Sequence, residues 1–298
     1  MKKIAAIDIG SNAVRMLICY VIFSGKEYIL QKNAYLRLPL RLGEDTFNNG
    51  FISDNKFQSL TNALLSFKYI MKVHDVSDYQ IYATSALRES ENSNDIILKI
   101  KKLTGLQINL ISGLEEAKII SNGNPKLNLD SNRINIFVDV GGGSTEFSII
   151  KPGNNKKSKS FKVGTVRLLK NDKDFSTFDQ IKKWLTSNID MEDKIKLFAS
   201  GGNINKIQSM TGSKNSKPIT YLSIKNLYSN LIKHNYNERM IKYDLGPDRA
   251  DVIIPALKIF IYTMESTNSN KIFVPKMGLV DGMINEIYFK NKSNKLDS

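Results

Sequence analysis

Residues 3–23 read KIAAIDIGSNAVRMLICYVIF, and residues 134–151 read INIFVDVGGGSTEFSIIK. Each stretch is an apolar strand ending in Asp, then x-Gly, then a small polar turn, then a second apolar strand. Asp8 matches Asp139, Gly10 matches Gly141, and Ser11 matches Gly142. A third strand is expected after each hairpin, over Lys26–Leu38 and Lys159–Val166. Such duplication within one chain predicts two equivalent α/β halves.

Working outward, helix and strand alternate. Ser53–Val73 places Phe57, Leu60, Leu64, Phe67 and Met71 at helical spacing, with Ser53 or Asp54 as N-cap. Tyr79–Ala83 and Gln107–Ile111 read as strands, Asn94–Leu103 and Glu115–Asn122 as helices. In the second half, Phe175–Asn188, Ser223–Lys233 and Gly278–Tyr288 read as helices, Ile195–Ala199 and Lys271–Val274 as strands. Arg249–Met264 reads as one long helix, with a kink or a packing accommodation at Pro255. A linker rich in Asn, Pro, Asp and Ser lies near Gly123–Asn132. The expected domains are residues 1–125 and 126–298, facing one another across a central cleft.

Composition narrows the class. The 298 residues are 41% hydrophobic and 24% charged, enough for a packed core. No apolar run reaches the roughly 20 residues of a membrane span, and the early Asp8 makes a poor secretory signal. The single cysteine, Cys19, precludes an intrachain disulfide and reads as a small core residue. A cytoplasmic protein that engages no membrane is the expectation. Lys and Arg number 43 against 29 Asp and Glu, a net charge of +14. That surplus favours polyanions in general. Lysine enrichment also accompanies A·T-rich coding, so charge alone does not choose a partner.

The two turns carry the first chemistry. Phosphate needs several backbone N–H groups converging on it, and glycine lets the backbone come that close. Gly10, Ser11 and Asn12 form one candidate phosphate nest, and Gly141, Gly142, Gly143, Ser144 and Thr145 the other. Ser11, Ser144 and Thr145 can add hydroxyls. Asp8 and Asp139 would repel phosphate there unless a hard divalent cation, Mg²⁺ foremost, sits between. Glu146 follows the second nest and poses the same problem. Arg88, after Thr84-Ser85 at a strand end, can grip phosphate bidentately or pair with Glu89 or Glu91. Arg15 either adds a phosphate contact or points to solvent. The basic stretch Lys156–Lys162 is a solvated hairpin or a guide for an anionic chain.

These turns, with Ala199-Ser-Gly-Gly-Asn203, resemble the actin-like phosphotransferase superfamily, whose fold is a pair of ribonuclease H-like domains. Four segments sharpen the resemblance: Ala83-Thr-Ser-Ala-Leu-Arg-Glu89, Ile111-Ser-Gly-Leu-Glu-Glu-Ala117, Val138-Asp-Val-Gly-Gly-Gly-Ser-Thr-Glu146 and Arg249-Ala-Asp-Val-Ile-Ile-Pro255. Together they look like the exopolyphosphatase/guanosine pentaphosphate phosphohydrolase family, in the family's order, from residue 4 to about 288. The resemblance implies Mg²⁺-dependent release of terminal orthophosphate from inorganic polyphosphate. The alternative is removal of the 5′-γ-phosphate of guanosine pentaphosphate, and more distantly an ATPase or sugar kinase. It assigns the water-activating base to Glu116, rather than Glu115 which can serve the helix dipole. It assigns metal binding or water positioning to Glu146, with Asp139 as partner. It implies a homodimer, and no nucleic-acid partner. One departure is Ala13-Val14-Arg15, where the family often has Ser-Phe-His or similar. Longer members carry an additional helical C-terminal region. Its absence from this sequence makes short chains or nucleotides plausible substrates.

Overall fold

The computed structural model describes residues 2–24, 27–122, 129–170, 175–190, 193–212 and 217–296. Much of the expected linker, residues 123–128, lies outside them. The chain divides into two compact units, residues 1–124 with 279–298, and residues 125–278.

Unit 1 begins with β1 (Lys2–Ile9), β2 (Val14–Ser24) and β3 (Glu27–Leu38), an antiparallel meander. Then follow α1 (Leu42–Asn49), α2 (Asp54–Val73), β4 (Asp78–Ala83), α3 (Ser85–Glu89), α4 (Ser93–Thr104), β5 (Asn109–Leu110) and α5 (Gly113–Asn122). The sheet order is β3-β2-β1-β4-β5, with β4 parallel to β1. Residues alternate between sheet faces. Ala5, Ile7, Ile9, Val14 and Met16 therefore bury against Leu60, Leu64 and Phe67 of α2. Ile4, Ala6, Leu17 and Cys19 bury on the other face. With both faces covered, these strands read as continuous apolar runs. Burial pushes the Cys19 thiol up to about 12. The α2 helix begins as expected, with Ser53 Oγ accepting from the Lys56 N–H.

Unit 2 repeats the plan with β6 (Ile134–Val140), β7 (Thr145–Ile150) and β8 (Lys156–Phe161). It continues with α6 (Thr165–Lys170), α7 (Phe175–Thr186), β9 (Ile195–Ser200), α8 (Gly202–Met210), β10 (Ile219–Thr220), α9 (Tyr221–Leu231), α10 (Tyr236–Tyr243), α11 (Pro247–Ala250), α12 (Ile253–Ser266) and β11 (Lys271–Phe273). The order is β10-β11-β9-β6-β7-β8, with β9 parallel to β6. In both sheets the meander comes first and a parallel strand joins beside its first strand, the order of the ribonuclease H-like, actin-like fold. The main core joins Ile136, Val138, Phe147 and Ala199 to Leu185, Leu257 and Phe260. The opposite face carries Phe137 stacked on Phe198, with ring centroids 4.9 Å apart.

The last helix, α13 (Leu279–Leu296), returns to unit 1 rather than completing the second domain. Its apolar stripe, Leu279, Val280, Met283, Ile284 and Ile287, covers the second face of the first sheet with Ile119 and Ile120 of α5. Gly282 makes that approach possible, since a Cβ there would stand 2.3 Å from the Ile119 carbonyl oxygen. Two more expectations are corrected. The third strand of unit 2 stops at Phe161, and 165–170 is helical. The long helix over 249–264 is two helices, because Pro255 falls at the third position of α12. N–H groups in a first turn have no intrahelical acceptor, so proline breaks nothing there. Among the described residues no helix is long and apolar enough to cross a membrane.

Candidate functional site

Each glycine turn is built by the same device. The Gly10 N–H donates to the Ala13 carbonyl at 3.2 Å, and the Gly141 N–H to the Ser144 carbonyl at 3.0 Å. These two N–H groups close the turns and are not available to phosphate. Each third strand then leads into a short helix whose first N–H groups seize the turn's carbonyls. In unit 2, Thr165 donates to Gly141 O at 3.0 Å, Val166 to Gly142 O at 2.8 Å and Arg167 to Gly142 O at 3.1 Å. Arg167 Nε adds a bond to Gly143 O at 2.8 Å. In unit 1, Gly43 donates to Ser11 O at 2.8 Å and Arg41 to Asn12 O at 3.0 Å. A trans peptide points its C=O and N–H in opposite directions. Tying the carbonyls to one side turns the N–H groups of Gly142 and Gly143, and of Asn12 and Ala13, to the other. Gly164 lets the strap come this close, because a Cβ there would meet the Gly142 carbonyl at 2.5 Å.

The straps were not legible in the sequence. Arg167, Gly164 and Thr165 escaped because a strand was read through residue 166. The available signal was a Gly after the third strand in both halves, Gly43 and Gly164. Thr165 is fully buried, and among the described residues its hydroxyl has no hydrogen-bond partner.

Charge separates the two turns. In unit 1, Asp8 lies opposite Arg15 in the β1–β2 register, and Arg15 Nη1 donates to Asp8 Oδ2 at 2.6 Å. Arg15 thus has a carboxylate partner within its own sheet. It counters the charge of Asp8, which is expected among the metal ligands. Burial raises the Asp8 pKa, against the opposing pull of Arg15. In unit 2, Asp139 lies opposite Glu146 in the β6–β7 register. A carboxylate oxygen of each lies within 4.8 Å of the other. Glu146 is 2% exposed and accepts from Ser160 Oγ at 2.7 Å. Asp139 accepts from Ser200 Oγ at 2.5 Å. Like charges directly opposite on a sheet repel. Two hard oxygen donors brought this close suit Mg²⁺ or a similar cation.

The remaining candidates divide. Thr145, expected among the phosphate ligands, is fully buried, and its hydroxyl donates to the Val163 carbonyl at 2.6 Å. Ser11 and Ser85 share a buried hydroxyl–hydroxyl bond of 2.9 Å. Ser144 is 4% exposed and Asn12 9%. Arg88, on α3, spends one of its five donors on the Ile111 carbonyl at 2.6 Å. On α5, Ser112 and Glu115 form a reciprocal capping box: the Ser112 N–H donates to Glu115 Oε2 at 2.7 Å, and the Glu115 N–H to Ser112 Oγ at 3.2 Å. The bond from the Ser112 backbone holds the Glu115 carboxyl below its ordinary value. Glu116, one residue on, is outside the cap and only 8% exposed.

Comparison with known proteins decides the family. The profile of the Ppx/GppA phosphatase family matches residues 21–290. The chain belongs to that family. A bifunctional 3-dehydroquinate synthase/phosphatase of Fusobacterium nucleatum is 31% identical over 273 residues, covering 84% of this chain and 41% of the relative. A guanosine-5′-triphosphate,3′-diphosphate pyrophosphatase of Aliivibrio fischeri is 26% identical over 300 residues, covering 95% and 59%. The chain thus spans between two fifths and three fifths of the length of these curated relatives. The crystal structure of an exopolyphosphatase from Cytophaga hutchinsonii superposes with a TM-score of 0.85 at 22% identity, covering 96% of this chain and 97% of that one. The family's fold is therefore present in this chain.

Proposed function

We propose that this Ppx/GppA family protein is a phosphoanhydride hydrolase that releases terminal orthophosphate from linear inorganic polyphosphate. The observation that carries the reading is the Asp139–Glu146 pair beside a glycine turn whose carbonyls are tied away. A hard divalent cation, Mg²⁺ foremost, fits Asp139 and Glu146 and supplies Lewis acidity to the terminal phosphoryl group when bound. The N–H groups of Gly142 and Gly143 hold phosphoryl oxygens, as backbone nests do. Gly10, Ser11 and Asn12 form the second phosphate-binding turn through the N–H groups beyond Gly10, and Arg88 adds charge. Glu116 takes a proton from water as the water oxygen bonds to the terminal phosphorus. The bridging P–O bond breaks, and its electrons stay on the shortened chain. Positioning and electrostatics do most of such work, and a base adds about 10²–10⁴ in rate. The surplus of cations gives a polyanion affinity that falls with salt. The resemblance brings a cytoplasmic homodimer into the same reading.

A second reading, hydrolysis of guanosine pentaphosphate, is favoured by the pyrophosphatase relative that covers 95% of this chain. Both readings use one set of residues. Phosphate release with Mg²⁺ from long polyphosphate, short polyphosphate, guanosine pentaphosphate and ATP separates them. The expected result is turnover of polyphosphate, lost with EDTA. Faster turnover of guanosine pentaphosphate moves the assignment to the second reading. Cleavage of ATP alone overturns both and leaves an actin-like ATPase.

A further inference from the structure

Across the second sheet, four adjacent strands present one register row. Ser200 on β9 faces Asp139 on β6, Asp139 faces Glu146 on β7, and Glu146 faces Ser160 on β8. The two carboxylates occupy the middle of the row and the two hydroxyls its ends. Each serine donates inward: Ser200 Oγ to Asp139 Oδ1 at 2.5 Å, and Ser160 Oγ to Glu146 Oε1 at 2.7 Å. We propose that Ser160 and Ser200 are positioning residues that clamp the two carboxylates from outside and fix them for one divalent cation. The proposal rests on the metal-dependent reading above.

Three features make the clamp more than two incidental bonds. Glu146 and Ser200 are 2% and 5% exposed, and Asp139 and Ser160 are half-buried, so each bond has one partner shielded from water. A hydroxyl donating to a carboxylate is a charge-assisted bond, stronger than a neutral one. Gly201, at φ 99°, closes the row beyond Ser200, and a Cβ there would stand 3.1 Å from Asp139 Oδ1. The Asp139 carboxylate is therefore bounded by a hydroxyl and by backbone, which limits how it can turn. The hydroxyls offset the repulsion of two like charges that face each other on neighbouring strands. Partners that orient metal ligands in this way usually account for about tenfold to a hundredfold in metal affinity.

The test is Mn²⁺ binding to the full chain, read from the electron paramagnetic resonance of free Mn²⁺, beside the melting temperature of the metal-free protein. Ser160→Ala and Ser200→Ala are each expected to weaken Mn²⁺ binding about tenfold or more, measured on protein that the metal-free melting temperature, lowered by the lost bond, shows to be folded at the temperature of the titration. Ser160→Thr keeps a hydroxyl and is expected to bind as wild type does. Alanine variants with wild-type affinity overturn the clamp while leaving the metal site standing. So does a threonine variant as weak as the alanine one. A wild-type chain that binds no Mn²⁺ overturns the metal reading and the clamp together.

Discussion

The two meanders are copies in backbone and opposites in charge. The row across the second sheet reads Ser200, Asp139, Glu146, Ser160. The matching row across the first, on β4, β1, β2 and β3, reads Tyr82, Asp8, Arg15, Arg37. Each sheet keeps the aspartate before its glycine turn. At the next position one chain half places an arginine and the other a glutamate. In unit 1 the aspartate is countered from within, at 2.6 Å. In unit 2 two carboxylates face each other, and on the proposed reading a cation offsets them. Duplication thus preserved the glycine-turn scaffold, while a single register position divided the charge.

The largest effect that could break this contrast is on turnover. Glu146→Gln is expected to reduce phosphate release by about 10³-fold or more, the scale of losing metal assistance. Asp8→Asn is expected to cost no more than about tenfold, because no cation is lost with it. Equal losses from the two variants would mean that the halves are not divided as described. Next comes Gly164→Ala. Its Cβ would meet Gly142 backbone at 2.5 Å, and backbone cannot swing aside. A displacement of the turn by about 1 Å is expected to cost about a hundredfold in rate. Gly43→Ala, at the equivalent strap, meets the Phe47 ring at 2.7 Å and Ser11 Cβ at 2.9 Å. The ring can give, so a smaller loss is expected there. Steady-state phosphate release compares the pair, and a more damaging Gly43 variant would contradict the ranking.

Arg15→Ala sharpens the contrast through stability. It strands a buried carboxylate, at a cost of about 2 kcal/mol near neutral pH. The Asp8 pKa is already raised in the folded protein, and removing the arginine raises it further. At low pH Asp8 is protonated in both proteins, and the ionic part of the difference vanishes. The gap opens as pH rises from the wild-type Asp8 value toward the higher one of the variant. Urea unfolding of both proteins across the acid range reads it, and a gap that closes with rising pH would refute the pairing. The smallest effect lies outside both rows. Ser112→Ala removes the α5 cap and is expected to cost about 1 kcal/mol. It should leave Mn²⁺ affinity unchanged, and a large fall in that affinity would implicate the capping box in the site.

What the sequence disclosed follows from local physics. The hairpins and α2 were legible because apolar residues repeat at the period of a strand or a helix. The Glu115–Glu116 pair could be divided only by resemblance until the capping box was seen to engage Glu115. The straps were hidden because α6, at six residues, is too short to show a period. The Asp8–Arg15 pairing was hidden because it needs the β1–β2 register. The bond from the Thr145 hydroxyl to the Val163 carbonyl was hidden because it spans 18 residues of chain. The return of α13 to unit 1 is a contact between the two ends of the chain, which no local pattern encodes.

The most direct test of the divided roles is a crystal of the protein grown with Mn²⁺ and read by anomalous scattering. Divided roles require a peak between the carboxylates of Asp139 and Glu146, and none beside Asp8 and Arg15. A peak at Asp8, or none at Asp139 and Glu146 in protein shown to bind Mn²⁺, would contradict them.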